Sequence, residues 1–315
     1  MIADPELLTV GRVSVDLYAE QSGVGFAGVT SFAKSVGGSP TNVAVAAARL
    51  GRRAAVLSAV GDDPFGEYVR SALADRFGVD TRFVGTHPTL RTPLAFAAMD
   101  PPEEPQLLFY REPDAPDMQI EPGDVDLELA ARVPLLWISA SALGHEPSRG
   151  TVDVLLAARG RREHTVLDLD WRPSFWAGRE EGEAIIGAAV SHATIAIGHR
   201  TECEVATGLS DPAAAADELL RRGVALAVVK LGADGVLVAT PEGRERVSAP
   251  RIQAVCGLGA GDAFGGAFCH GLLAGWEPGA CVRFASTAGA IVASRLLCAD
   301  AMPTEQEVRD LARHG

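Results

Sequence analysis

An α/β fold, with a mostly parallel central sheet covered by helices on both faces and a small β-rich lid, is what this sequence predicts. Three observations carry it. From Leu135 to Thr240, short β-branched runs alternate with helical stretches, the pattern of parallel strands joined by crossover helices. Two earlier segments, approximately 21–36 and 91–115, stand outside that alternation and read as strands of a second, smaller sheet, the lid. The chain has 315 residues, 47% of them apolar, enough for one large domain, and no repeat or low-complexity linker divides it.

In order, Leu7 to Val13 reads as a first parallel strand leading into Ser14-Val15-Asp16-Leu17-Tyr18. Asp16 then lies at the carboxyl edge, where open α/β sheets bind ligands; a turn aspartate is the plainer alternative. Gly23 to Ser35 is glycine-rich and weakly alternating, as in a small outlying sheet. Gly37-Gly38-Ser39-Pro40-Thr41-Asn42 opens an alanine-rich helix that runs to Leu50 and stops at Gly51. Gly37 and Gly38 let the backbone approach a ligand closely. Asn42 can both donate and accept, as sugar hydroxyls require. Ala54 to Val60 reads as a strand and Glu67 to Phe77 as a helix.

Thr92 to Met99 and Gln106 to Glu112 form a hairpin-like pair around the proline-rich tip Pro101–Pro105. Its second arm ends Tyr110-Arg111-Glu112, and Arg111 is a candidate clamp for a substrate carboxylate. A surface pair with Glu112 is the competing reading. Strands follow at Leu135–Ser139, Thr165–Leu169, Thr194–Ile197, Leu226–Lys230 and Val236–Thr240, with helices at Ser148–Arg162, Glu183–Ser191, through Ala206, and Pro212–Arg222.

Ile252 to Val255 reads as a strand-like approach to Gly257-Leu258-Gly259-Ala260-Gly261-Asp262, after which Ala263 to Leu273 is a helix. A Gly-Ala-Gly turn at a helix start leaves unshielded N–H groups pointing outward with the positive end of the helix dipole, which makes an anion cradle. Asp262 puts a carboxylate beside that cradle, as a proton acceptor near a transferring phosphate would be. A glycine turn with an N-terminal aspartate is the bland alternative. After this motif, Pro278 to Leu297 reads as a long helix of small residues.

The formal net charge of −13 argues against nucleic acid and anionic membrane as partners and requires local cations for any anionic substrate. Cysteines 203, 256, 269, 281 and 298 show no metal-ligand spacing and are expected to be reduced, buried thiols. Met1 to Glu6 lacks a basic region followed by an apolar run, and no eighteen-residue apolar stretch occurs, so a cytoplasmic location is expected.

With both glycine motifs placed, the chain resembles the PfkB/ribokinase family of carbohydrate kinases from Val10 to Thr304. Gly37-Gly38, Asn42, Ala44, Gly51 and Gly61 match the first family motif, and Gly259 to Asp262 with Gly266-Ala267 match the second. Strings such as Gly11-Arg12, Phe109-Tyr110-Arg111-Glu112 and Asp168-Leu169-Asp170-Trp171-Arg172-Pro173 resemble the branch acting on 5-dehydro-2-deoxygluconate in inositol breakdown. Kinases of 2-keto-3-deoxygluconate share part of these strings and form the alternative, ahead of fructokinase-like or ribokinase-like enzymes and of a weakly catalytic sensor. The resemblance implies a ribokinase-like fold and ATP-dependent phosphorylation of a primary hydroxyl, with Mg²⁺. It implies Asp262 as base, Gly259, Ala260 and Gly261 as phosphate-holding amides, and Asp16, Gly37, Gly38 and Asn42 on the sugar. Tyr110, Arg111 and Arg172 would meet the acid, and Glu202 would orient Mg²⁺ waters. Lys230, Gly232, Gly235 and Ser286 would shape the nucleotide pocket. Lids of this family can also pair two copies into a homodimer. Cys256-Gly257 stands where the family has an Asp-Thr or Asn-Val pair, which weakens the expectation of a monovalent cation. His199 replaces the usual Asn or Thr.

Overall fold

A computed structural model describes residues 3–101, 105–250, 252–253 and 255–314. In chain order the strands are β1 (Leu7–Val10), β2 (Ser14–Ser22), β3 (Phe32–Gly37), β4 (Ala54–Gly61), β5 (Val84–His87), β6 (Leu94–Met99), β7 (Gln106–Tyr110), β8 (Leu135–Ser139), β9 (Thr165–Asp168), β10 (Ile195–His199), β11 (Leu226–Lys230), β12 (Val236–Thr240) and β13 (Gly243–Val247). The helices are α1 (Ser39–Arg49), α2 (Pro64–Ser71), α3 (Leu127–Arg132), α4 (Ser148–Arg159), α5 (Arg179–Ala189), α6 (Arg200–Thr207), α7 (Pro212–Arg221), α8 (Ala260–Leu273), α9 (Pro278–Ala293) and α10 (Glu305–His314).

The large sheet has the order β13-β12-β11-β10-β9-β8-β1-β4-β5. From β11 to β5 all neighbours are parallel, and β12 and β13 add an antiparallel edge. Because side chains alternate along each strand, Trp137, Val166, Ile197 and Val228 pack on one side against α1, α8 and α9. Leu136, Leu167, Ala196 and Val229 pack on the other side with α4 to α7. Burial on both faces explains why these strands read as nearly continuous apolar runs.

The small sheet has the order β3-β2-β6-β7, with β2 parallel to β6 and antiparallel neighbours outside. Its first strand starts at Ser14, so Asp16 sits in the small sheet rather than in a loop closing the first parallel strand. Gly11, at φ 137°, separates the two strands. Of the glycine-rich segment from Gly23 to Ser35, only Phe32 onward is strand.

Three other expectations shift. Ile252, Gln253 and Val255 form no strand, and Ile252 and Val255 are exposed; Ala254 lies outside the described residues, as do Pro102 to Glu104 of the hairpin tip. The helix expected from Glu67 starts earlier, because the Asp63 side chain accepts from the N–H groups of Phe65 and Gly66. It then widens into a single π-turn over Ala72–Arg76. α9 stops at Ala293, and Leu296 and Leu297 pack instead beside Tyr18, Cys256 and Cys298.

α1 and α8 touch almost backbone to backbone. A Cβ added to Gly266 would lie 2.3 Å from the Ala46 Cβ and 2.7 Å from the Val43 carbonyl oxygen. We expect Gly266→Ala to lower unfolding stability by about 1–2 kcal/mol despite its better helix propensity, since the helices must part to admit the methyl. Urea denaturation at fixed pH measures this.

Candidate active site

Between the two sheets lies a cavity of about 540 Å³. The carboxyl ends of the parallel strands supply one wall: Arg12 after β1, Asp168 at the end of β9 and Asp170 just beyond it, His199 at the end of β10 and Lys230 at the end of β11. The small sheet supplies Ser14, Asp16 and Tyr18 from β2 and Leu107 and Phe109 from β7, and the α8 entry supplies Gly257, Leu258, Gly259, Gly261 and Asp262.

At the α8 entry, Gly259 is the residue capping the helix, with φ 78°. A side chain there would meet the Cys298 Sγ at 2.5 Å, so both backbone conformation and space require glycine. The first turn of α8 leaves its N–H groups facing outward, as any helix start does. Asp262, in that turn, accepts from Ser39 Oγ through Oδ1 and from Asn42 Nδ2 through Oδ2, both at 2.8 Å. Burial raises its pKa above the ordinary carboxylate value, and the bonds from Asn42 and Ser39 oppose the rise. Asn42 Oδ1 is buried with no hydrogen-bond partner among the described residues, on a side chain that lines the cavity.

α1 owes its position to Gly38, at φ 96°, where a Cβ would strike the Arg12 carbonyl oxygen at 2.3 Å. Gly37 makes room for Asp16, whose Oδ1 would lie 1.9 Å from a Cβ at that position. Asp16 accepts from Ser14 Oγ at 2.6 Å and from the Tyr18 hydroxyl at 3.1 Å. Burial nevertheless pushes its pKa up to about 6.

At the opposite end, His199 caps α6. Its Nδ1 accepts from the N–H groups of Thr201 and Glu202, while Glu202 Oε2 accepts from the His199 N–H at 2.7 Å. The imidazole thus does the capping work of the Asn or Thr it replaces, and burial lowers its pKa, favouring the neutral form that can accept. Burial alone would lower Lys230, but Glu202, Asp168 and Asp262 together hold its pKa above the ordinary value. Arg172 reaches Asp170 Oδ1 through Nε at 2.9 Å and keeps a partly exposed side chain in the cavity.

The cavity brings together Asp16, Gly38, Asn42, Arg172, Glu202, Lys230, Gly259, Gly261 and Asp262, with Gly37 directly behind Asp16 and Ala260 between the two glycines. It does not bring in Tyr110 or Arg111. Tyr110 is 59% exposed, its ring set edge-on to Phe96. The Arg111 guanidinium is captured by the fully buried Asp117 and lines a separate recess over Phe175. Gly232 and Gly235 form the turn between β11 and β12, and Ser286 lies on α9 with its Oγ buried and without a hydrogen-bond partner among the described residues; none of the three lines the cavity. Arg12, Ser39 and Asp168 line it without having been singled out. Ser39 stands inside the first glycine motif and Asp168 two residues before Asp170, which were the available signals.

The profile of the pfkB family carbohydrate kinases matches residues 4–305. The chain belongs to the PfkB family. A 5-dehydro-2-deoxygluconokinase of Shouchella clausii is 32% identical over 311 residues, covering 97% of this chain and 95% of that protein. One from Bacillus subtilis is 31% identical over 314 residues, with 97% and 95% covered. A double-mutant fructokinase from Vibrio cholerae O395, solved with fructose, ADP and a potassium ion, superposes with a TM-score of 0.87 at 26% identity, covering 99% of this chain and 100% of that one. This PfkB protein is therefore an ATP-dependent carbohydrate kinase. Among its described residues no helix is long and apolar enough to cross a membrane.

Burial also pushes Asp168 up to about 8; Lys230 opposes the shift, and Asp170, Glu202 and Asp262 add to it. A carboxyl raised in the folded state contributes stability that is full below its unfolded value of 3.8 and is lost as pH climbs to about 8. Asp168→Asn, which cannot ionise, should therefore gain melting temperature over the parent as pH rises from about 5 to about 8 and gain little beyond. Melting curves of the two proteins across that range test the sign.

Proposed function

We propose that this kinase transfers the γ-phosphoryl group of ATP to the primary hydroxyl of a sugar acid, with 5-dehydro-2-deoxy-D-gluconate as the acceptor. The observation that carries the chemistry is Asp262, fixed by Ser39 and Asn42 in the first turn of α8 beside Gly259 and Gly261. The acceptor rests on the names of relatives about one-third identical over nearly the whole chain, and on Arg12 and Arg172 in the cavity wall.

In this reading the acceptor oxygen attacks the γ-phosphorus while its proton passes to the Asp262 carboxylate. The bond to the oxygen bridging the β- and γ-phosphates breaks, and ADP leaves. The raised pKa suits Asp262 to receiving that proton late, when the attacking oxygen has become acidic. The N–H groups of Gly259 to Gly261 would hold the developing phosphate charge, and Lys230 would pair with a phosphate at the far end. Asp16, Gly38 and the unpartnered Asn42 Oδ1 would hold sugar hydroxyls. The small sheet would act as the lid that excludes competing water, and its exposed Leu108 and Tyr110 offer a second copy an apolar surface for pairing.

No three His, Cys, Asp or Glu side chains cluster to grip an ion among the described residues. That donor set fits Mg²⁺ carried in on a nucleotide with its waters, which Glu202 would orient, better than a resident ion; its charge would neutralise the phosphates. The Cys256-Gly257 pair offers a monovalent cation one thiol, buried among Tyr18, Met99 and Cys298. Replacing K⁺ in the assay by tetramethylammonium should accordingly leave kcat nearly unchanged.

The deciding test is ADP release over 5-dehydro-2-deoxygluconate, 2-keto-3-deoxygluconate, fructose, ribose and adenosine. Turnover should be highest on the first, and Asp262→Asn should lose about 10²–10⁴-fold in kcat while still binding ADP. Activity confined to neutral sugars overturns the acceptor assignment, and an active Asp262→Asn overturns the base.

A further inference from the structure

We propose that Arg12 is the specificity-determining cation of the acceptor site, the residue that meets the acceptor's carboxylate. The inference rests on the sugar-acid reading above.

Arg12 stands in the short link between β1 and β2, where the parallel sheet hands the chain to the small sheet. It lines the cavity, yet only 6% of it is exposed. Its Nε donates to Ser141 Oγ at 2.8 Å, its Nη2 donates to Asp170 Oδ2 at 2.7 Å, and its guanidinium lies 5.0 Å from the centre of the Phe175 ring. These contacts fix the plane of the group and use two of its five N–H donors, while Nη1 makes no hydrogen bond to another described residue. A nearly dry guanidinium with unused donors facing a cavity is costly until an acceptor arrives.

The charge count points the same way. One carboxylate, Asp170, serves two guanidinium groups, with Arg12 on Oδ2 and Arg172 on Oδ1. It also accepts from the hydroxyls of Ser139 and Ser141, each at 2.7 Å. The trio therefore carries one surplus positive charge. Asp16 also feels Arg12, but it has Ser14 and Tyr18 as its own donors. Across the whole cavity wall the carboxylates outnumber the cations, so the surplus is local to this trio, and a carboxylate on the acceptor set against Arg12 would pair with it there. Arg172 shares the surplus, but its side chain is 40% exposed, so water screens it, whereas Arg12 acts at low local dielectric, where discrimination between a charged and a neutral group is largest. Arg111 has no such freedom: both its Nη atoms are held by Asp117 outside the cavity.

The test compares the sugar acid with its own carboxamide, which keeps every hydroxyl and loses the charge. Wild-type protein should prefer the acid. Arg12→Gln should raise the KM for the acid about 10²-fold with kcat changed less than about threefold, and should leave the KM for the amide and the Kd for ADP unchanged. Arg12→Lys, which keeps the charge but not the fork, should raise the acid KM about tenfold and serves if the Gln variant does not fold. Equal losses on acid and amide would mean that Arg12 only supports the fold, and the proposal falls. A wild type that prefers the acid, with the preference intact in both variants, overturns the role of Arg12 alone. A wild type without that preference overturns the sugar-acid reading and this inference with it.

Discussion

Two hydrogen bonds between the first turns of α1 and α8 determine where everything else in the site must be. Ser39 and Asn42 hold the two oxygens of Asp262 across sequence separations of 223 and 220 residues. Side chains as short as serine and asparagine can do this only if the helices that carry them nearly touch. Hence Gly266 against Ala46 and the Val43 carbonyl, and Gly265 against Trp137 and Val43. The glycines inside α8 cost helix propensity, about 1 kcal/mol each, and what they allow is this approach. The core packing on this face and the chemistry of the site are one constraint.

The second constraint is electrostatic. Asp16, Asp168, Asp170, Glu202 and Asp262 share a cavity wall with Arg12, Arg172 and Lys230, so the carboxylates outnumber the fixed cations. Crowding and burial are relieved unevenly. Asp170 takes both arginines, and its pKa is driven well below the ordinary range despite burial. Asp16, Asp168 and Asp262 have weaker partners, and theirs rise. Asp170 thus remains a fixed anion organising the cations, while burial favours the protonated form of Asp16, Asp168 and Asp262. Neither an ATP molecule nor an acidic sugar would be welcome here without that division, because the chain as a whole carries −13.

Much of this was legible in the sequence, because it follows from local rules. Strand–helix alternation gave the parallel sheet, and the glycine motifs marked the starts of α1 and α8, where backbone approach demands glycine. What was hidden depends on direction and on distant partners. Within β7, Leu107 and Phe109 turn into the cavity, so alternation sends Tyr110 outward, and Arg111 lies just past the strand end where alternation no longer applies. Asp117 then captures it, and nothing in the string Tyr110-Arg111-Glu112 announces that partner. Arg12 was passed over for the converse reason. In sequence it is one residue beside a glycine; only the sheet order, which sets β1 next to β8, brings Ser139 and Ser141 near it and Asp170 with them.

The departure at Cys256-Gly257 has a structural counterpart that bears on how the glycine turn before α8 keeps its shape. Tyr18, fully buried at the base of the small sheet, has its hydroxyl 3.1 Å from Asp16 and 2.7 Å from the Cys298 Sγ. Cys298 in turn presses on Gly259, and Cys256 completes the same buried cluster. The turn is therefore backed by its own neighbour Cys256 and by side chains packed from two distant stretches of chain, one of them in the small sheet. Packing of this kind fixes position without supplying charge, which a bound cation would supply as well. It also makes the turn's position depend on that of the small sheet, since Tyr18 touches both Asp16 and Cys298, the residue that braces the turn. A shift of β2 toward an acceptor would move Asp16 and, through Tyr18 and Cys298, Gly259. Asp16 in the small sheet and Gly259 at the α8 entry are thus linked by direct contact, through Tyr18 and Cys298.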